Sequence, residues 1–167
     1  MGSQDAVKVN RDYSDLLSAF AAHKVRFLVV GAYALAFHGR PRATGDLDIW
    51  VEATPANAKR VYAALAEFGA PLGGIDSRDF EAPGTVFQIG VAPNRIDVLT
   101  SLTALAFPRA WKNRLRRRYG STPVNLISAR DMLRNKRALG RPRDVADADE
   151  LEAILRPPRR GGPGSPS

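Results

Sequence analysis

Two aspartates one residue apart, Asp46 and Asp48, lie in the stretch RATGDLDIWV. Leu47, Ile49 and Val51 alternate with Asp46, Asp48 and Trp50, the period-2 pattern of a strand with one buried face. Aspartate is a poor strand former, and two on one face repel each other. Their Cα atoms are ~6.6 Å apart at about 3.3 Å per residue, close enough for both side chains to converge on one cation. Hard oxygen ligands in this arrangement suit Mg²⁺ (or Mn²⁺), which takes one or two carboxylates plus substrate phosphates. A third carboxylate appears in RIDVL, where Ile96 and Val98 face the core and Asp97 faces the other way. If that strand lies beside the first, three carboxylates share one patch. Such a patch suits two divalent ions about 3.5–4 Å apart, the spacing of two-metal phosphoryl chemistry. Asp97 would then be a metal ligand and the base for an attacking hydroxyl.

Phosphate binding has its own candidates. The apolar run VRFLVV ends at Gly31 and turns directly into AYALAFH. A strand that breaks into a helix exposes backbone N–H groups to an anion, and Gly31 lets a phosphate approach the backbone closely. Gly31 and Ala32 are therefore the predicted phosphate cradle. Arg40 and Arg42 precede the aspartates and offer charge-assisted contacts. Thr44 is a further contact or an ordinary strand residue. Lys136 is a second phosphate contact or plain surface on an Arg-rich helix. His38 closes the short helix, where a C-terminal His is favourable, and Trp50 is core or sheet surface rather than a base-stacking platform.

The elements that must position these residues follow from the remaining pattern. Residues 12–23 have helical spacing and 25–30 form a buried strand. A short helix ends before Gly39 and Pro41, and residues 42–51 form the second strand. Thr54-Pro55 opens a helix that Gly69 stops. A turn-rich connection leads to strands TVFQIGV and RIDVLT, joined near Ala92-Pro93-Asn94. A helix or irregular segment begins at Leu102 and runs into a basic stretch. A short strand covers 124–128, and Ser128 with Asp131 caps a helix over 129–138. The last helix starts near Asp144, with Asp144 as N-cap and Asp147 at the third position, and ends at Leu155. The order α-β-α-β-α-β-β-α-β-α-α predicts an α+β (α/β-like) domain, a small mixed sheet with helices packed on it. Residues 1–10 read as a flexible arm, 11–155 as one domain, and the Pro/Gly-rich 156–167 as a disordered tail.

The chain has 167 residues, 44% hydrophobic and 25% charged, with no cysteine. That composition is expected of a soluble protein in a reducing cytoplasm, with no secretory signal and no membrane-length apolar run. Net charge is +8. From Phe107 to Arg143 the charges are positive except for Asp131, which suggests a polyanionic partner or substrate.

The run FLVVGAYALAFHGRPRATGDLDIWV resembles the nucleotidyltransferases of the DNA polymerase β superfamily. Their signature is an apolar strand, Gly-Gly or Gly-Ser, a short helix, Asp-x-Asp on the next strand, and a third Asp on a later one. The match falls on Gly31, Asp46, Asp48 and Asp97. The segment LISARDMLRNKRALGRPRDVADADELEAIL is similar to the end of the abortive-infection type toxin nucleotidyltransferases and their bacterial relatives. Their Lys, Arg and following Asp correspond to Lys136, Arg141 and Asp144. The resemblance covers about residues 12–155. It implies a polymerase β palm-like fold and Mg²⁺-dependent transfer of NMP from an NTP such as ATP to a hydroxyl, with pyrophosphate released. The basic run favours an RNA acceptor; the toxin-like branch implies a tRNA end and an antitoxin partner. Ala32 stands where the family has Ser or Gly, so a hydroxyl expected on the terminal phosphates is lost. The other readings are AMP transfer to a protein or an antibiotic, and a non-catalytic module that binds nucleotide or nucleic acid.

Overall fold

The computed structural model describes residues 9–39, 46–91 and 93–157. Arg42 and Thr44, like Arg40 and most of the predicted arm and tail, lie outside these residues. The chain begins with helix α1 (Arg11–Ala22), capped by Asn10, whose side chain accepts from the backbone N–H groups of Asp12 and Tyr13. Strand β1 (Phe27–Val30) is buried along its whole length, as its continuous apolar run requires. Helix α2 (Gly31–Phe37) follows without a linking residue. Strand β2 (Leu47–Val51) leads to helix α3 (Pro55–Phe68), where Thr54 Oγ1 accepts from Asn57 N–H. Gly69, the predicted helix stop, ends α3 in the left-handed conformation at φ +93°.

The turn-rich connection contains a 3₁₀ turn, Ser77–Phe80, which buries Phe80 edge-on against Phe87. Strands β3 (Val86–Ile89) and β4 (Ile96–Leu99) form the expected antiparallel pair. Helix α4 (Phe107–Lys112) then precedes a hairpin of β5 (Leu115–Tyr119) and β6 (Thr122–Leu126). Two sequence expectations are corrected here. The basic run is partly strand, and the short strand predicted at 124–128 begins two residues earlier. Arginines at three successive positions of β5 are exposed, so the strand lacks the apolar alternation by which strands are recognised.

Helix α5 (Ala129–Leu139) starts at Ser128, whose side chain accepts from Asp131 N–H, and stops at Gly140. Helix α6 (Pro142–Leu155) starts earlier than expected. Pro142 takes the first helical turn, where its missing N–H costs nothing. Asp144 is therefore not the N-cap. It lies one turn in and accepts from Arg141 N–H at 3.3 Å.

The sheet order is β3-β4-β2-β1-β6-β5. β1 is antiparallel to β2 and parallel to β6, while β2 is parallel to β4. Register divides the sheet into two faces. Phe27, Val29, Ile49 and Val51 share one face, where Phe20 of α1 meets Phe27 edge-on. Leu28, Val30, Asp48 and Trp50 share the other, where Phe107 of α4 meets Trp50. Asn57 is almost fully buried and ties the sheet to α3. Its side chain accepts from Arg26 N–H and donates to the carbonyls of Arg26 and Glu52. No helix among the described residues is long and apolar enough to cross a membrane.

Candidate active site

Two neighbouring strands, β2 and β4, deliver the predicted carboxylates to one end of the sheet. Asp48 is paired with Asp97 across the parallel β2–β4 ladder and with Val30 across the antiparallel β1–β2 ladder. Directly opposed residues project to the same face, so Asp48 and Asp97 stand side by side. Asp46 lies just ahead of β2, held there by Leu47 N–H donating to Arg95 C=O at 3.0 Å. The structure thus brings together the three carboxylates that the sequence singled out.

Gly31 is fitted to this corner in two ways. Its φ of +71° belongs to the left-handed region, where a side chain is strained. A Cβ there would stand 2.3 Å from Asp48 Oδ2. Glycine at the strand-to-helix break is what lets Asp48 occupy its place. Ala32 is the next residue of α2 and is half-buried.

Arg95 was not anticipated. Its Nη2 is 3.2 Å from Asp46 Oδ2 and donates to Asp97 Oδ2 at 3.2 Å, and its Nε is 3.1 Å from Asp97 Oδ1. One guanidinium therefore bridges two of the three carboxylates. A signal was present in RID: residues two apart on a strand share a face, so Arg95 lies beside Asp97 by alternation alone. Tyr13 fixes the turn that carries Arg95, its hydroxyl shared between the carbonyls of Pro93 and Arg95 at 3.3 and 3.2 Å. Burial, then Tyr33 and the charges of Asp46 and Asp48, push the Tyr13 hydroxyl up to about 12, so it remains a donor at neutral pH.

Even with Arg95 present the corner is short of positive charge. Burial pushes the Asp48 carboxyl up to about 6, helped by the charges of Asp97 and Asp46 and opposed by Arg95. Asp97 Oδ1 is buried and has no hydrogen-bond partner, since its contact with Arg95 Nε is an unaligned ion pair. No group of three or more His, Cys, Asp or Glu side chains among the described residues is already arranged as a metal cage. The donor set nonetheless fits a hard divalent cation. All its donors are carboxylate oxygens, one is buried without a hydrogen bond, and a guanidinium already holds the position of a positive charge.

The other candidates lie elsewhere. Lys136 on α5 is 3.6 Å from Asp144 and 3.2 Å from Asp147, and Arg141 binds the Asp144 carboxylate through Nε and Nη2. Lys136, Arg141 and Asp144, mapped from the rear motif, are thus brought together, joining α5 to α6. His38 Nε2 is 2.8 Å from Ile127 C=O, to which it donates, tying the end of α2 to the end of β6. Trp50 is buried, as its place on an inner strand requires.

No protein-family model matches the chain, and no curated protein matches it in sequence. Solved structures do match. A presumptive nucleotidyltransferase from Thermotoga maritima is similar over 87% of this chain and 91% of its own, with a TM-score of 0.54 and 14% identity. The lincosamide antibiotic adenylyltransferase LnuA, solved with lincomycin bound, is similar over 89% of this chain and 100% of its own, with a TM-score of 0.54 and 15% identity. These likenesses show the fold: a six-stranded mixed sheet with packed helices, built as in nucleotidyltransferase structures.

Proposed function

We propose that this chain is a divalent-cation-dependent, cytoplasmic nucleotidyltransferase that moves NMP from an NTP onto a hydroxyl, with RNA as the acceptor class. The observation that carries the reading is the β2–β4 register, which sets Asp48 against Asp97 beside a glycine that no other residue replaces without a clash. Both fold neighbours bear nucleotidyltransferase names, and that supports the same reaction class.

In this reading Asp46, Asp48 and Asp97 hold the cation, Mg²⁺ or Mn²⁺. When bound it neutralises the triphosphate and polarises the α-phosphoryl group. The acceptor oxygen forms a bond to the α-phosphorus, the α–β P–O bond breaks, and pyrophosphate leaves. Asp97 orients the acceptor hydroxyl and takes its proton. The backbone at Gly31 and Ala32 faces the phosphates, and Arg42 and Thr44 are further phosphate contacts. Arg95 leaves Asp46 and Asp97 as the cation enters, and its guanidinium turns to the incoming phosphates. Lys136 acts at a distance, by holding α5 against α6. The toxin-type branch, with an RNA end as acceptor and an antitoxin protein as partner, rests on the sequence correspondence of Lys136, Arg141 and Asp144.

One observation favours a second acceptor class: LnuA is named for transfer to an antibiotic. A single experiment separates the two. The protein is incubated with each α-³²P-labelled NTP and Mg²⁺, offering total RNA, protein extract or lincomycin in separate lanes, with Asp48→Asn alongside. Label on RNA from the wild type alone is the expected result. Label on lincomycin alone moves the acceptor to a small molecule. No label in any lane from folded protein overturns the transferase reading.

A further inference from the structure

Away from the carboxylates, two arginines gather on one aromatic ring and a third stands beside them. The Arg114 guanidinium lies over Trp111 at 3.8 Å from the ring centroid, and that of Arg26 at 5.3 Å. Arg116 follows two residues after Arg114, on the same side of β5 by alternation. Little negative charge offsets them. Arg114 donates to Trp111 C=O at 2.9 Å and to Asn125 Oδ1 at 3.3 Å, both neutral acceptors. Arg26 reaches Glu52 only at 3.9 Å. Burial, then the charges of Arg116 and Arg26, pull the Arg114 guanidinium below its usual range. Cations crowded in this way repel one another, and an anion bound between them relieves the repulsion.

Trp111 and the Arg26 backbone are held in place, on the sheet face that carries Asp48. Both carbonyl and N–H of Arg26 are held by Asn57. Trp111 stacks on Phe107 at 5.7 Å, and Phe107 meets Trp50 edge-on at 5.1 Å, two residues along β2 from Asp48. Arg26 stands on the Val30 and Asp48 face by alternation, four residues or about 13 Å from Val30 along the strand.

Beside the cluster the sheet opens. β1 and β6 share one register pair, Val29 with Leu126. Toward Phe27 the two strands part around a cavity of ≈ 270 Å³. Ala21 of α1, Val25, Phe27 and Val124, on the α1 face, give it apolar walls, and Arg116, Arg117 and Asn125 give it a polar rim; it meets the arginine cluster at Arg116 and at Asn125, which accepts from Arg114. An apolar slot rimmed by guanidiniums suits a nucleobase next to its phosphate.

We propose that Arg26 and Arg114 on Trp111, with Arg116 beside them and the cleft between β1 and β6 that Arg116 rims, form a docking site for a nucleotide of single-stranded RNA. The inference deepens the proposed function: the acceptor strand is held here, a few nucleotides from the hydroxyl that reaches Asp97. The arginines take one or two phosphates, and the cleft takes a base.

The test is equilibrium binding of a fluorescent single-stranded RNA oligonucleotide to the full chain, without NTP and in EDTA, so that no turnover is involved. Arg114→Gln/Arg116→Gln is compared with Lys59→Gln/Arg60→Gln, which removes the same charge from the exposed side of α3. The expected result is about a tenfold loss of affinity in the first variant alone, with a log K against log salt slope shallower by roughly 1 to 1.5. Arg116→Gln, at an exposed residue, gives a smaller loss of the same kind and serves if the double variant unfolds. Equal losses in the two double variants mean attraction by overall charge and overturn the site. So does unchanged RNA affinity, or displacement of the RNA by polyglutamate of equal charge, which points to an acidic protein partner instead. Loss of RNA binding in a chain that transfers no label leaves this site standing while the transferase reading falls; label transfer with unaltered binding does the reverse.

Discussion

Asp48 and Asp144 are both aspartates set among other charged side chains, yet their carboxyls are driven in opposite directions. At Asp144 the hydrogen bond from Arg141 outweighs burial, Lys136 adds to it, and the carboxyl is held below its ordinary value. At Asp48 burial dominates, the nearest charges are two more carboxylates, and the carboxyl rises to about 6. The α5–α6 cluster is matched within the protein, so it is a structural joint. The β2–β4 cluster sets three carboxylates against one guanidinium and is left two positive charges short, the deficit that the proposed divalent cation would fill. Unmatched charge at a rigid corner is a sign of function because folding alone would select against it.

The contrast can be broken most severely at the joint. Lys136→Met leaves Asp144 and Asp147, both almost fully buried, with Arg141 as the remaining cation on Asp144. Removing one partner of a buried ion pair costs about 3–5 kcal/mol, and urea unfolding should read a loss of that order. A loss below about 1 kcal/mol would show that the joint is not what holds α6.

Asp48→Asn should have the opposite sign. It abolishes transfer but stabilises the fold by about 2 kcal/mol at pH 8 in EDTA, since a carboxyl raised from 3.8 to about 6 is a stability debt of roughly 1.4 kcal/mol per pH unit. The pH dependence follows. Between about 4 and 6 the folded chain binds the Asp48 proton more tightly than the unfolded chain does. Wild-type stability from this group is therefore full below pH 4 and falls as pH rises through 6. Thermal melts of the two proteins should converge at pH 4 and separate by pH 7; parallel curves would remove Asp48 from the account.

Gly31→Ala probes the corner sterically rather than electrically. Positive φ and a Cβ against Asp48 Oδ2 should together cost about 1–2 kcal/mol in denaturant unfolding and lower transfer as Asp48 shifts. A variant of wild-type stability and activity would mean that the corner relaxes freely. The smallest effect is expected at Arg95, where the internal cation competes with the external one. Arg95→Gln should melt lower in EDTA and gain about 2–4 °C more than wild type when Mg²⁺ is added. Equal gains would show that the guanidinium does not occupy the cation's place.

Much of the site was legible because it is written in local pattern. Alternation around Asp46 and Asp48 set the strand and its polar face, RIDVL set Asp97, and the caps at Thr54, Gly69 and Ser128 fell where their chemistry predicts. What escaped depends on long-range pairing or on a competing local rule. The bridge from Arg95 to Asp46 spans two strands far apart in sequence. Arg26 and Arg114 meet on Trp111 only after β1, α4 and the hairpin have packed. Strand β5 hides behind LRRRY, since an edge strand with three solvated side chains needs no apolar partner. Asp144 has the chemistry of an N-cap, but Pro142 starts the helix first.

The same three arginines of β5 have a consequence for how the molecule behaves in a crowd of its own copies. β5 ends the sheet and is paired on one side by β6 alone. An unpaired strand edge is a template on which another chain can add a strand and seed aggregation. A second copy docking antiparallel along β5 would bring Arg116, Arg117 and Arg118 against their own counterparts in low-dielectric contact. Their repulsion guards that edge and keeps the protein dispersed. The opposite edge, β3, has no such charges and exposes Val86; it relies on being only four residues long.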